Sequence, residues 1–302
     1  HFSRPVVEFL PPHFWTGFIC LIRAITLRMA NEMTINKPDN PGSDRPIDAR
    51  RVAIMQPYFV PYLGYFQLIA AAGTFVVYDD VHYIQRGWIN RNRVLNQGNV
   101  HYVTIPLMKA SQNKRICELS IAQTGQWQKK TLHTLRSAYG RAPHFSEVFP
   151  ICEAIVACPA VGLVDFLEHS LSRLCSVLGI ATRFVKSSEL ALQAPHLAAT
   201  DQLRGATRIA AFCKHLGATS YINPIGGTEL YSSDDFLRDG MELLFLKSTP
   251  PEYRQQGATH VPSLSIIDVL MFNGIEQTRH WLGCFQLVTP GPTDLPTDRT
   301  AA

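Results

Sequence analysis

The chain has 302 residues, of which 46% are apolar, and this is enough to bury a full core in one large domain or two small ones. Its 28 basic and 24 acidic residues give a formal net charge of +4, a surplus too small to indicate nucleic-acid binding from the total alone. Nucleic acid is therefore not an expected partner, and any function that depends on charge must rest on local clusters.

The first 50 residues are predicted to lie outside the folded unit. An apolar run over 14–22 is well short of the roughly 20 residues that a membrane-spanning helix needs, and no small-residue cleavage site of a signal peptide follows it. We expect an upstream extension of the reading frame with Met29 or Met33 as the true start, followed by a linker rich in Pro, Asp and Asn. Residues 1–50 are therefore predicted to be a disordered or non-native segment without a membrane span.

From residue 51 to residue 288 the hydrophobic period changes repeatedly between strand-like and helix-like. Strands are predicted at 52–55, 74–78, 100–105, 182–186, 219–222 and 243–246, and helices at 62–72, 126–139, 161–178, 208–216, 234–238 and 264–272. This alternation predicts a single Rossmann-like α/β domain over 51–288, with a mostly parallel sheet, flanking helices and a helical C-terminal half. A turn sequence at 96–99 predicts one β-hairpin. Residues 289–302 are predicted to be a disordered tail.

The loop that follows the first strand is a candidate site. It lies at the carboxyl end of that strand, where α/β sheets form their ligand crevice, and two prolines stiffen it. Its Phe-x-Pro-x-x-Gly-Tyr pattern resembles a loop of nucleotidylyltransferases without their phosphate-binding histidines, so the analogy extends only to a nucleotide-sized pocket. Gln56 and Tyr58 are candidate substrate-binding residues, and Tyr65 is a candidate catalytic residue. The alternative is a proline-aromatic turn that only packs the first helix.

Two carboxylates, Asp79 and Asp80, follow the second strand. Because side chains alternate along a strand, we expect at most one of them to line the crevice directly. Asp80 is the candidate, either as a Mg²⁺ ligand, as an acceptor for a sugar hydroxyl or as a catalytic general base. The alternative is a helix or turn cap, or a salt bridge with Arg86 or Arg91.

A cluster of arginine, aromatic and amide side chains occupies residues 86–93. Arginine binds phosphate or carboxylate through paired hydrogen bonds, and an indole can stack on a sugar or base face. We therefore predict that the cluster binds an anionic small-molecule substrate such as a nucleotide sugar. Single-stranded nucleic acid ranks below it, because the cluster is short and no RNA-binding motif is visible. In the structural alternative the tryptophan packs and the arginines pair with carboxylates or face water. The candidate substrate-binding residues are Arg86, Trp88, Asn90, Arg91 and Arg93.

A second polar loop follows the predicted strand at 219–222. Its two glycines, Gly226 and Gly227, can offer backbone N–H groups to a phosphate at a strand-to-helix turn, although tight turns also use paired glycines. We include Asn223, Gly226 and Gly227 among the substrate-binding residues because this loop lies at the same predicted edge of the sheet.

The seven cysteines are an odd number and show no Cys-x-x-Cys spacing. Several of them fall in apolar helical patterns, where a thiol packs as a small hydrophobic group. This usage favours a reducing compartment, and we expect a cytoplasmic protein.

Several of these segments together resemble the WbqC-like protein family. They keep a consistent order over 51–288, which a chance motif match would not do. The resemblance implies a role in the biosynthesis of bacterial lipopolysaccharide O-antigen and related surface polysaccharides, without a settled reaction. We expect a transferase that adds a group to a nucleotide- or lipid-linked sugar. The alternative is a non-catalytic nucleotide- or sugar-binding regulator or scaffold of the same pathway. The resembling segments are 54–67, 78–80, 86–93, 104–107, 221–227 and 264–274.

Overall fold

The computed structural model describes residues 48–123, 125–199, 203–257 and 259–289. The predicted extension and the predicted tail lie almost wholly outside these residues, and so do both candidate start methionines. Within the described ranges, no helix is long and apolar enough to cross a membrane.

The described chain alternates between strands and helices, so the predicted α/β class is confirmed. The strands are β1 Arg51–Met55, β2 Thr74–Val77, β3 Arg91–Asn96, β4 Asn99–Thr104, β5 Arg183–Lys186, β6 Ser220–Pro224, β7 Glu242–Ser248 and β8 Phe285–Val288. The α-helices are α1 Leu63–Ala71, α2 Gln126–Tyr139, α3 Phe145–Val156, α4 Leu163–Leu178, α5 Ser187–Gln193, α6 Gly205–His215, α7 Ser233–Leu237 and α8 Ile266–Trp281. Short 3₁₀ helices lie at Ile116–Glu118, Pro195–Leu197 and Ile225–Leu230.

The main sheet has the strand order β5-β2-β1-β6-β7-β8. Its neighbouring strands are parallel, except that β8 runs antiparallel to β7. From β1 the chain adds β2 and β5 on one side, and it then adds β6, β7 and β8 on the other. This is the Rossmann strand order, and its direction reverses between β1 and β6. Ligand crevices of such sheets open outside the carboxyl ends of the strands at this reversal.

Both faces of the sheet are covered by helices. Along β1, Val52 and Ile54 pack into a smaller core with α5, α6 and α7, whereas Ala53 packs into a larger core with α1 to α4 and α8. Successive side chains of a strand point to opposite faces, so a sheet covered on both sides needs apolar residues at every position. This explains why β1 and β2 read as continuous apolar runs.

The predicted β-hairpin is confirmed as β3 and β4, which form a separate antiparallel sheet in which Arg91 lies opposite Thr104. Gln97 and Gly98 make the turn with φ angles of 53° and 76°. Two consecutive positive φ angles are typical of a type I′ turn, whose twist matches that of the strands. In chain order, the hairpin is inserted between β2 and β5, which are neighbouring strands of the main sheet.

Three elements, α3, α5 and β8, were not predicted. Helix α3 contains Pro150, which interrupts a helical pattern. Helix α8, predicted to end near Phe272, resumes beyond Gly274 (φ 75°, ψ 175°) and continues to Trp281. A Cβ atom at Gly274 would lie 2.7 Å from the His144 ring, so this bend requires glycine both for its conformation and for its close approach.

Candidate functional site

The loop between β1 and α1 is held in an unusual conformation. Val60 has a φ of 38°, which β-branched residues rarely adopt. Its carbonyl accepts hydrogen bonds from Asn92 Nδ2 at 3.0 Å and from Ser265 Oγ at 2.7 Å. Asn92 Nδ2 also lies 2.9 Å from the carbonyl oxygen of Phe59. The hairpin and the start of α8 therefore fix the shape of this loop.

Tyr65, the candidate catalytic tyrosine, lies in the core. Its hydroxyl donates to the carbonyl oxygen of Gln56 at 2.8 Å, and its ring centroid is 5.4 Å from that of Tyr58. Burial raises the pKa of Tyr65 well above its ordinary value, and the neighbouring Tyr58 adds to this effect. Burial also raises the pKa of Tyr58. A buried phenol with a raised pKa keeps its proton at neutral pH, so Tyr65 has the position of a packing residue that shapes the loop of Gln56 and Tyr58.

The two carboxylates after β2 are both buried, and they converge on the serine that begins α5. Ser187 Oγ lies 3.0 Å from Asp79 Oδ1 and 2.6 Å from Asp80 Oδ1. Asp79 also accepts hydrogen bonds from the backbone N–H of Ser188 at 2.9 Å and from its hydroxyl at 2.7 Å. Asp79 therefore caps the first turn of α5, where a carboxylate is also favoured by the helix dipole.

Asp80 forms a buried ion pair with Arg208 of α6. Arg208 Nη1 lies 3.1 Å from Asp80 Oδ1, and Arg208 Nη2 contacts Asp80 Oδ2. Arg208 Nε donates to the carbonyl oxygen of Leu197 at 2.8 Å, and the guanidinium carbon lies 4.8 Å from the ring centroid of Phe212. The salt-bridge alternative for Asp80 named Arg86 or Arg91 as the partner, but in the structure the partner is Arg208.

Sequence reasoning did not single out Arg208, although the signal was present. Arg208, Ile209, Phe212 and Cys213 are buried positions of α6 with helical spacing, so the arginine lies on the apolar stripe of its helix. A buried arginine requires a counter-charge, and a carboxylate at a neighbouring strand end can supply it. In the described ranges no group of three or more His, Cys, Asp or Glu side chains is arranged to hold a metal ion.

A surface pocket of about 270 Å³ lies at the base of the hairpin. Three of its lining residues, Arg86, Asn90 and Arg91, belong to the cluster predicted from the sequence. Its volume is close to the lower end of the range of small-molecule sites, about 300–1,000 Å³. The structure therefore brings part of the predicted cluster together around one cavity. The lining residues are Tyr83, Gln85, Arg86, Asn90, Arg91, Thr104 and Ala110.

Backbone carbonyls orient the guanidinium of Arg91. Its Nε donates to the carbonyl oxygen of Gly87 at 3.2 Å, and its Nη2 donates to the carbonyl oxygen of Arg86. The guanidinium carbon lies 4.5 Å from the ring centroid of Tyr102. Because a guanidinium carries several N–H donors, these contacts orient Arg91 and leave further donors for a ligand. Arg86 is exposed and has a φ of 60°, which few residues other than glycine adopt.

Trp88 and Tyr102 stack on each other, with ring centroids 6.4 Å apart and an interplanar angle of 22°. Both side chains are exposed, so Trp88 is not the packed tryptophan of the structural alternative. The guanidinium carbon of Arg93 lies 5.2 Å from the Trp88 ring centroid, and its Nη2 donates to the carbonyls of Pro262 and Ser263. Sequence reasoning missed Tyr102, which the hairpin register places opposite Arg93.

The side chain of Asn90 is already engaged within the protein. Its Oδ1 accepts a hydrogen bond from the hydroxyl of Tyr83 at 2.9 Å, and its Nδ2 donates to the carbonyl oxygen of Ile105 at 2.8 Å. Asn90 is buried, so it fixes the pocket wall that Tyr83 forms. The other polar side chains that line the pocket include Arg86 and Arg91.

The loop after β6 follows the strand that pairs in parallel with β1, so it lies at the carboxyl ends of the strands, where sheets of this order form their ligand crevices. Asn223 is buried, and its Oδ1 accepts a hydrogen bond from the hydroxyl of Tyr221 at 3.3 Å. A Cβ atom at Gly227 would lie 2.0 Å from Asn223 Nδ2, whereas one at Gly226 would meet no atom within 4 Å. Gly227 therefore allows a close approach, and Gly226 leaves space. The predicted residues thus form two groups, one at the hairpin and one at the sheet edge.

Two features define the class of this protein: the Rossmann strand order, and an inserted β-hairpin with an arginine-lined pocket at its base. The chain belongs to the WbqC-like protein family, which matches residues 56–280, and the predicted family is confirmed. It is similar to an uncharacterized protein of Mycobacterium tuberculosis (strain ATCC 25618 / H37Rv), with 30% identity over 243 residues that cover 78% of this chain and 100% of that protein. No solved structure matches the chain.

Proposed function

We propose that the protein binds a nucleotide- or lipid-linked sugar at the hairpin pocket and transfers a group onto it during the biosynthesis of a bacterial surface polysaccharide of the O-antigen class. The pocket that combines Arg86 and Arg91 beside the Trp88–Tyr102 stack is the observation that supports this best. Guanidinium groups bind phosphate oxygens through charge-assisted hydrogen bonds, and an exposed aromatic face accommodates a sugar or a base. Such a pocket suits a ligand with both a phosphate and a ring.

The positive charge of the pocket has no acidic neighbour in sequence. No Asp or Glu occurs between residues 81 and 117. In the described part of the chain, neither Arg86 nor Arg91 forms an ion pair with a carboxylate. An arginine without a counter-charge in a concave site attracts anions from solution. The ligand class that follows is anionic.

Asp80 is the candidate base or Mg²⁺ ligand of this proposal. Its carboxylate is engaged by Arg208 and Ser187, so either role requires that substrate or a cation displace one of these contacts. The engagement of Asp80 and the burial of Tyr65 favour a second candidate function, in which the protein binds the same sugar without catalysis and regulates or scaffolds the pathway. The two candidates share the pocket and differ only in turnover.

Calorimetric titration of the full chain with nucleotide sugars, sugar 1-phosphates and free nucleotides tests the binding site. Arg91→Ala should weaken the affinity for the ligand by about 10- to 100-fold, since a hydrogen bond to a charged group contributes about 1.5–3 kcal/mol. The matched control is Arg173→Ala, which removes an exposed arginine of α4. An affinity that changes no more in Arg91→Ala than in the control would refute this pocket as the site.

Mass spectrometry of the same ligand after incubation with acyl, amino and glycosyl donors separates the two candidate functions. A new product that requires the protein supports group transfer. Saturable binding without a product for any donor supports the non-catalytic binder.

A further inference from the structure

Residues 81–117 concentrate the positive charge of the chain. The segment contains no Asp or Glu, and it holds six basic residues, whereas the whole chain has a formal net charge of only +4. Among the described residues, none of the six takes part in the ion pairs of the protein. The segment itself therefore carries a surplus of six positive charges. The six residues are Arg86, Arg91, Arg93, Lys109, Lys114 and Arg115.

The same segment exposes large apolar side chains. Of the nine exposed large hydrophobic side chains in the described ranges, five lie within residues 84–108, each with 38% to 54% of its surface accessible. A concentration of exposed apolar groups on one part of a protein marks an interaction surface. The five residues are Ile84, Trp88, Val100, Tyr102 and Met108.

The hairpin register places basic and apolar groups on one face. Arg93 lies directly opposite Tyr102, and side chains two positions apart on a strand share a face, which adds Arg91 and Val100. Trp88 stacks on Tyr102 and so extends the same surface. We define these five residues as the hairpin face. Four more exposed residues surround the pocket beside this face, and we call them the pocket rim. Ile84 directly precedes the pocket-lining residue 85, Met108 and Lys109 precede pocket-lining residue 110, and Arg115 forms a β-bridge with the residue before pocket-lining Tyr83.

We propose that the hairpin face and the pocket rim beside it dock on a membrane surface rich in anionic phospholipid. Lys and Arg are drawn to anionic headgroups, and each one near such a surface strengthens binding by a factor of about five. Tryptophan and tyrosine side chains favour the interface between headgroups and hydrocarbon, and exposed aliphatic side chains add apolar area there. The hairpin face supplies all three kinds of contact, so its charge and its apolar groups complement the same partner.

This docking rests on the proposed function for its purpose, since the arginine pocket adjoins the hairpin face and would meet a lipid-linked sugar at the membrane. Single-stranded nucleic acid also binds arginine and aromatic side chains. The exposed aliphatic side chains of Ile84, Val100 and Met108 offer no stacking surface for bases, however, whereas they suit the boundary of the acyl chains. The membrane is therefore the partner that accounts for the whole surface.

Co-sedimentation of the full chain with sugar-free vesicles tests the docking. The protein should bind vesicles that mix phosphatidylcholine with phosphatidylglycerol and not those of phosphatidylcholine alone, and added salt should weaken the binding. Replacing Lys109 and Arg115 together by Gln should lower the partition coefficient by about 25-fold. Ile84→Ser with Met108→Ser should also lower it, without changing the net charge. Neither pair lies among the arginines of the pocket.

The control for charge replaces Arg173 and Arg183 by Gln. Both are exposed. Arg183 begins β5 and so lies at the amino-terminal ends of the parallel strands, whereas the candidate loops follow their carboxyl ends. Circular dichroism of each variant confirms that it is folded. We expect the control variant to bind anionic vesicles as tightly as the parent protein does.

Equal binding of the Lys109/Arg115 variant and the control variant would overturn the docking, and so would equal binding to neutral and anionic vesicles. Tighter binding of oligouridylate than of anionic vesicles through these residues would also overturn it and assign the face to nucleic acid. Because the vesicles carry no sugar, their binding does not depend on the proposed function. Vesicle binding without soluble-ligand binding would support the membrane docking and refute the pocket as the sugar site. Soluble-ligand binding without vesicle binding would refute the docking and support the pocket.

Discussion

At the scale of single residues, the carboxylate of Asp80 and the guanidinium of Arg208 are bound to each other inside the domain. Ser187 donates to the same carboxylate, and the Leu197 carbonyl accepts from Arg208, so both charged groups have polar partners besides each other. A buried pair of this kind loses much of its attraction to desolvation, yet removal of one partner leaves an isolated charge in the interior. Its effect on stability therefore appears mainly when it is broken.

Arg208→Ala should lower the free energy of unfolding by about 3–5 kcal/mol, because it leaves the carboxylate of Asp80 buried without its counter-charge. Asp80→Asn combined with Arg208→Ala should cost less than Arg208→Ala alone, since no buried charge then remains unpaired. Urea unfolding of the single and double variants measures both quantities. Losses that simply add in the double variant would show that the two groups do not stabilise each other.

At the scale of elements, the inserted hairpin is tied to the main sheet by a few side-chain bonds to backbone carbonyls. Asn92 donates to the carbonyls of Phe59 and Val60 in the loop after β1, and Arg93 donates to two carbonyls before α8. These bonds join segments far apart in sequence, so they position the hairpin pocket relative to the carboxyl edge of the sheet. The strained φ of Val60 is maintained by the same contacts.

Asn92→Ala should destabilise the protein by about 1–3 kcal/mol, since it leaves two buried carbonyl groups without this donor. The matched control is Asn99→Ala at the exposed start of β4, where a side-chain change should alter stability by less than about 0.5 kcal/mol. Thermal unfolding of both variants provides the comparison, with ligand affinity as a second measurement. A loss in Asn92→Ala no greater than in Asn99→Ala would contradict the anchoring role.

At the scale of the whole molecule, the sequence specified the elements better than the contacts between them. The parallel sheet followed from alternating apolar segments, and the hairpin followed from the turn around Gln97 and Gly98, because both patterns are local. The pair of Asp80 and Arg208 joins residues 128 positions apart, and no local pattern names the partner. Tyr102 was missed for a similar reason, since its place beside Trp88 and Arg91 depends on strand register.

The helices α3 and α5 show a second limit of the sequence. Pro150 obscured α3, and α5 begins directly where β5 ends, so no polar loop marked the change from strand to helix. Tertiary packing stabilises both helices despite these local signals. In the same way, the sequence identified Tyr65 as a polar group beside the crevice, but only the packing shows that its hydroxyl is turned to the carbonyl of Gln56.

Tryptophan fluorescence during titration with a nucleotide sugar tests whether an anionic sugar binds beside the hairpin. Of the three tryptophans within the described residues, Trp88 is exposed beside the pocket, whereas Trp127 and Trp281 are buried in the core. We expect a saturable change in the fluorescence of the parent protein that is lost in Trp88→Phe, while calorimetry still detects binding to that variant. An undiminished fluorescence change in Trp88→Phe, or calorimetric binding that leaves the fluorescence of the parent protein unchanged, would place the ligand elsewhere on the protein.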